Sequence, residues 1–268
     1  MNKSAKLELH RDVRSPLSFA RLMFSRSGLL SKIIQTGFGF ITRLMFAVGA
    51  TNLGELMRRK RMDARDRYRS ACDRTLDAAV TSGLFKTYVD LGAHKGEQVL
   101  EFGQHLSVVA FEPDPRAFEF CTRAVRDNPL LRQADIQLHQ LAVSDFNGKV
   151  NLSFNDSDHC TTGGSTIETT KRGYSHLQHV EVEAIDILDV FDLVKNTREA
   201  IFKIDIEGAE YRVLQRLVKH GKLSELGLLL VEFHERKMKL GVFRGSWLTL
   251  TCWFHGVRRS RILEWYYF

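Results

Sequence analysis

The sequence predicts an α/β fold, doubly wound around a mostly parallel sheet and preceded by a helical arm. Three observations predict it. Apolar runs of strand length close on acidic residues, at 84–90, 108–112, 201–205 and 228–232, the near-continuous hydrophobic pattern of strands buried on both faces. The first run feeds a glycine-bearing turn, Gly92-Ala-His-Lys-Gly96, that opens a helix. Helical stretches separate the runs, at 116–126 and again up to residue 217, and alternation of strand and helix is the pattern of parallel-sheet units.

Composition bounds the rest. With 268 residues, 44% of them hydrophobic, the chain can bury the core of one large domain with an appendage. Fifteen of the 39 Lys/Arg and five of the 32 Asp/Glu lie in residues 1–70, which leaves 24 against 27 in the remainder, so the net charge of +7 belongs to the arm. The four cysteines are dispersed, with no C-x-x-C pair and no secretory leader pattern in front of them, which suits reduced thiols in a cytoplasmic protein.

The arm, residues 1–80, carries apolar residues at three- and four-residue steps over 15–50, interrupted by Arg21, Arg26, Lys32 and Arg43. Basic amphipathic helices of this kind pack on a neighbouring domain, and they also suit peripheral contact with an anionic membrane. The uncharged runs there, 33–42 and 44–54, each contain two glycines and fall short of the roughly 18 to 20 apolar residues of a spanning helix. The charged stretch 57–69 has too few aromatics for base stacking, which argues against nucleic acid as a partner. A helix over 66–79 stops before Gly83, and the domain of residues 81–268 begins there.

In the first half of that domain, Asp90 closes the first strand. Gly92 allows a tight turn, and Gly96 allows close approach to the start of the next helix. The glycine spacing is G-x-x-x-G and lacks the middle glycine that hugs a pyrophosphate. A cofactor without a pyrophosphate fits better than NAD, and S-adenosylmethionine is one. Glu112, 22 positions after Asp90, closes the second strand where a carboxylate accepts ribose hydroxyls; the other role open to it is a cap on the helix that begins near Asp114. A third strand is expected over 136–143, with Ala142 and Val143 as apolar walls beside the adenine.

The second half begins with a strand over 149–154 that pairs with 180–184, and a polar insertion at about 155–179 separates them. Asp156, Asp158 and His159 in the insertion suit a solvated turn better than a metal site, and no metal site is assigned. Asp205 and Glu207 end the strand 201–205, so they face a bound cofactor at the carboxyl edge of the sheet. They are suited to accept a hydroxyl proton, hold an ammonium or coordinate a divalent ion. The fifth strand ends in Glu232 and His234, and His234 is a further candidate base. The tail favours strands over 247–254 and 261–268, an antiparallel hairpin that would complete the sheet.

In order, Asp90-Leu-Gly-Ala-His-Lys-Gly96, Ala110-Phe-Glu-Pro-Asp-Pro115, Leu141-Ala-Val-Ser-Asp145, Ile185-Asp-Ile-Leu-Asp189, Phe202-Lys-Ile-Asp-Ile-Glu-Gly-Ala-Glu210 and Val231-Glu232 resemble the motifs of the FkbM-type methyltransferases. The Lys-Ile-Asp-x-Glu-Gly-Ala-Glu element is the most specific of them. The resemblance implies a Rossmann-like class I fold with a seven-stranded sheet. It also implies S-adenosylmethionine as cofactor and methylation of a hydroxyl on a sugar, a glycan or a small natural product. Carried onto this chain, the cofactor contacts are Asp90, Gly92, Ala93, His94, Gly96, Glu112, Pro113, Ala142, Val143 and Asp205, and the catalytic candidates are Asp205, Glu207 and His234. The family commonly has Asn where this chain has His94, and Ser where it has Val99. Two readings from other classes are a non-catalytic module that keeps the fold and binds a partner through its basic arm, and an NAD- or nucleotide-dependent enzyme.

Overall fold

The computed structural model describes residues 76–155, 165–166, 177–232, 234 and 261–265. The chain divides into two units, the first ending at residue 82 and the second covering 83–267. In the first unit, residues 76–81 are helical. The amphipathic stretch 15–50, the charged stretch 57–69, Asp156, Asp158 and His159 of the insertion, and the tail segment 247–254 lie outside the described residues. Among the described residues no helix is long and apolar enough to cross a membrane.

In chain order the second unit runs β1 (Thr87–Leu91), α1 (Glu97–Phe102), β2 (Ser107–Phe111), α2 (Pro115–Asp127), β3 (Ile136–His139), β4 (Ala142–Ser144), β5 (Gly148–Asn155), β6 (Ser165–Thr166), β7 (Leu177–Asp186), α3 (Ile187–Val190), β8 (Ala200–Ile204), α4 (Glu210–Lys219), β9 (Leu228–Glu232) and β10 (Arg261–Trp265). Six strands form one sheet in the order β10-β9-β8-β1-β2-β3, and every neighbouring pair is parallel. The chain works outward from β1 to β3, crosses back to β8 on the other side of β1, and works outward again to β10. The direction reverses between β1 and β8, and open α/β sheets bind ligands at the carboxyl edge of that reversal.

The inner strands are built from apolar residues buried on both faces. Val89, Leu91, Ile201, Ile204, Leu229, Leu230 and Val231 are all fully buried. Tyr88 anchors α1 to β1, its ring edge-on to Phe102 with centroids 4.8 Å apart and its hydroxyl donating to Gln98 Oε1 at 2.8 Å.

One expectation changes. The run 136–143 is not one strand but divides into β3 and β4. The reason is register: β2 ends at Phe111, opposite His139, so the chain beyond His139 has no partner in the main sheet and turns to pair with β7 instead. In the tail, among the described residues, the main sheet has six strands and β10 lies parallel to β9, from Arg261 opposite Leu228 to Trp265 opposite Glu232; the other strand of the expected hairpin, 247–254, lies outside the described residues. A parallel partner needs a crossover of about a dozen residues or more, and the connection from β9 to β10 is long enough to provide one.

The expected pairing of 149–154 with 180–184 is present and extends over β5 and β7 from Gly148–Ala184 to Asn155–Leu177. These strands form a separate mixed sheet, β4-β7-β5-β6, with its own small core of Ala142, Leu152, Val182 and Ala184.

Two glycines are required by close approach. Gly92 has φ 100°, and a Cβ there would lie 1.9 Å from the backbone oxygen of Asp205. Gly96, at φ 81°, starts α1 against α2, where a Cβ would lie 2.4 Å from Cys121 Sγ. Gly96 therefore has a packing reason of its own. Gly92→Ala meets both an unfavourable φ and a backbone clash, and is expected to lower the unfolding free energy by more than about 2 kcal/mol. Urea denaturation measures this, and an unchanged midpoint would mean that the turn can move away from Asp205.

Candidate functional site

At the carboxyl edge, Lys203 of β8 stands in register with Asp90 of β1. Its Nζ lies 3.2 Å from Asp90 Oδ1, 3.4 Å from Asp205 Oδ2 and 3.4 Å from the carbonyl oxygen of Gly92. Asp90 is buried, and burial pushes its carboxyl up while Lys203 pulls it back. Burial disfavours the Lys203 ammonium, but Asp90 and Asp205 outweigh it and hold the group above the ordinary lysine range. The ammonium is thus a fixed charge bridging the reversal point.

The glycine turn folds over the end of β2. The backbone N–H groups of Gly92 and Ala93 both donate to the Phe111 carbonyl, at 3.0 and 2.9 Å. His94 then adopts the left-handed region, at φ 51°, a conformation in which Asn and His are both enriched, so His satisfies the same backbone requirement as Asn. The His94 N–H donates to Glu112 Oε2 at 2.7 Å, and the Asp114 N–H donates to Glu112 Oε1 at 2.8 Å. The cap of α2 is Asp114, which accepts from the Arg116 N–H at 2.9 Å. Burial raises the Glu112 carboxyl to about 7 against the pull of its two backbone donors.

On the other side of β1, the chain leaves β8 in a strained turn. Glu207 has φ 54° and Gly208 φ 118°, and a left-handed non-glycine residue costs about 1 to 3 kcal/mol unless its surroundings enforce it. Glu210 does so. Fully buried at the start of α4, its Oε1 accepts from the N–H groups of Ile206 and Gly208, both at 3.1 Å. The same oxygen lies 2.9 Å from His234 Nδ1, which fixes the ring and turns Nε2 toward Glu207 Oε2 at 3.4 Å, Glu232 Oε1 at 3.5 Å and Asp205 Oδ1 at 3.7 Å. Burial pulls the imidazole down, but Glu210 and then Glu207 and Asp205 outweigh it and raise it to about 9. Burial, and Asp205 after it, raise Glu232 to about 8.

The structure therefore brings Asp205, Glu207 and His234 together and joins Asp90 to them through Lys203. Gly92, Ala93, His94, Gly96, Glu112 and Pro113 form the neighbouring turn. Ala142 and Val143 lie buried on β4, in the mixed sheet, with Ala142 part of its core. Asp145 pairs with Arg212 at 2.7 Å, and Asp186 caps α3 and pairs with Arg216 at 2.7 Å. Lys203, Glu210 and Glu232 have no role among the sequence expectations, although a lysine inside an otherwise apolar strand and glutamates at the ends of buried runs need partners.

A family model described as Methyltransferase FkbM domain matches residues 90–247. No curated protein and no solved structure matches the chain.

Lys203→Met leaves Asp90 buried without its counter-charge and is expected to cost about 3 to 5 kcal/mol in chemical denaturation; a loss below 1 kcal/mol would mean that Asp90 is neutral in the folded chain. The pH dependence has a definite sign. His234, Glu232 and Glu112 are all raised in the folded chain, so the stability each contributes is full below its ordinary value, near 6.5 for His and 4.3 for Glu, and is lost as pH rises through about 9, 8 and 7 respectively. Thermal unfolding of the ligand-free chain should fall in midpoint from pH 5 to pH 9, with a shallower fall above pH 6.5 in His234→Gln; an equal slope would remove His234 from the account.

Proposed function

The chain belongs to the FkbM methyltransferase family, and from that premise we propose that this methyltransferase moves the methyl group of S-adenosylmethionine to a hydroxyl on a sugar, a glycan or a small natural product. The observation that supports the proposal is a juxtaposition at the carboxyl edge of the sheet. A glycine turn bonded to the Glu112 carboxylate lies on one side of β1, and the Asp205, Glu207 and His234 cluster lies on the other.

The donor set fits the cofactor. Each Glu112 oxygen accepts one backbone N–H, and a carboxylate has about four acceptor sites, so both oxygens retain capacity for ribose hydroxyls. The carboxylates of Asp205 and Glu207 suit a cationic ligand. S-adenosylmethionine, when bound, supplies an activated methyl group on a sulfonium, which leaves alignment and proton removal to the chain.

Glu112 holds the ribose in this reading, and the turn from Gly92 to Gly96 faces the methionine end. With a proton on His234 near neutral pH, the Asp205 and Glu207 carboxylates are the groups able to accept the hydroxyl proton. His234, oriented by Glu210, is the second base and becomes effective as pH approaches about 9. The dispersed cysteines suit a cytoplasmic setting, and the basic residues of 15–50 suit peripheral contact with an anionic membrane.

Calorimetry tests the proposal. The chain should bind S-adenosylmethionine, and Glu112→Ala should weaken that binding by about 10- to 100-fold, the worth of hydrogen bonds to a charged group. No binding by the unaltered chain would overturn the cofactor, and undiminished binding by the variant would overturn the ribose contact.

A further inference from the structure

We propose that Asp205, Glu207 and His234 form a binding site for a divalent cation of the Mn2+ type. The first observation is spacing. One ligand atom from each of the three side chains lies within 4.8 Å of the others. Two ligands of one ion are at most two bond lengths apart, which is about 4.0 to 5.2 Å for bonds of about 2.0 to 2.6 Å. The three atoms therefore already surround a volume that one ion can fill, with small adjustments of the two carboxylates.

The second observation is independent of the acidic cluster. His234 Nε2 is buried, with the side chain 2% exposed, and has no hydrogen-bond partner among the described residues. It points at Asp205, Glu207 and Glu232 over 3.4 to 3.7 Å. Those separations exceed the 2.7 to 3.2 Å of ordinary N–H···O bonds, and suit an ion between the groups better than direct contact.

The support behind the ring has the same character. A histidine that ligates a metal commonly donates its other ring N–H to a carboxylate, which fixes the tautomer and the ring plane. Here Glu210 takes Nδ1 at 2.9 Å and is itself held by two backbone donors. Asp205 divides its oxygens, with Oδ2 on Lys203 and Oδ1 toward His234, so one oxygen remains for the ion. Asp205 and Glu207 keep 25% and 18% side-chain exposure, which gives the ion access and leaves positions for an outside oxygen. One imidazole with two carboxylates favours a first-row ion over Mg2+, which prefers oxygen alone.

The site stands on the side chains. Its use in holding an acceptor hydroxyl rests on the methyl-transfer reading; an ion on Nε2 displaces the imidazole proton, so with the ion bound His234 is a ligand and not a base. Mn2+ titrated into the purified full-length chain without S-adenosylmethionine, and followed by electron paramagnetic resonance, should saturate at one ion per chain. Electron spin echo modulation should show a coordinated nitrogen. Glu207→Gln and Asp205→Asn, each near-isosteric, should weaken the ion at least tenfold. Absence of a saturable ion, absence of nitrogen coupling, or undiminished affinity in both variants would overturn the site and leave His234 as an imidazolium among carboxylates. Calorimetry with S-adenosylmethionine on chelator-treated chain reports on the cofactor alone, so its failure is distinct from loss of the ion.

Discussion

The buried Lys203 ammonium is the constraint on which the site depends. Taking an ammonium out of water costs several kcal/mol, and the structure offsets that by placing it between Asp90 and Asp205 with a third contact to the Gly92 carbonyl. Those three groups sit at the ends of the two strands that flank the reversal point. One charge thus sets the relative position of the turn that leaves β1 and the turn that leaves β8. A surface pair such as Arg123–Glu119 on α2, with both side chains well exposed, contributes about 0.5 kcal/mol at most and positions nothing.

Each of the two turns is organised in the same way, around a buried glutamate that accepts two backbone N–H bonds. Glu112 gathers the amides of His94 and Asp114, and Glu210 gathers those of Ile206 and Gly208. Both turns contain a non-glycine residue in the left-handed region, His94 and Glu207. The carboxylates explain why that strain persists, since each fixes amides that would otherwise be buried without partners. Each of these glutamates is therefore part of the frame, and Glu112 keeps further acceptor capacity because a carboxylate has more acceptor sites than two amides occupy.

Packing follows from the same geometry. Gly92 is glycine because the Asp205 carbonyl occupies the space of a side chain, and Gly96 is glycine because Cys121 does. Burial raises the Cys121 thiol to about 12, so it acts as a small apolar filler against α1 and not as a nucleophile.

The sequence by itself determined the alternation of buried strands and helices, the acidic residues at the strand ends and the turn after Asp90. These depend on local periodicity and on spacing within one segment, which a linear reading contains. It also brought Asp205, Glu207 and His234 to one edge, because parallel strands place their carboxyl ends together. Only the tertiary structure decided that Lys203 belongs to Asp90, 113 positions away, that Glu210 reaches His234, that Ala142 lies in a second sheet, and that β10 runs parallel to β9. Each of these is a pairing between segments whose separation carries no periodic signal. A buried charge announces that it needs a partner, but which partner it meets is decided by strand order and register, and those exist only once the chain has folded.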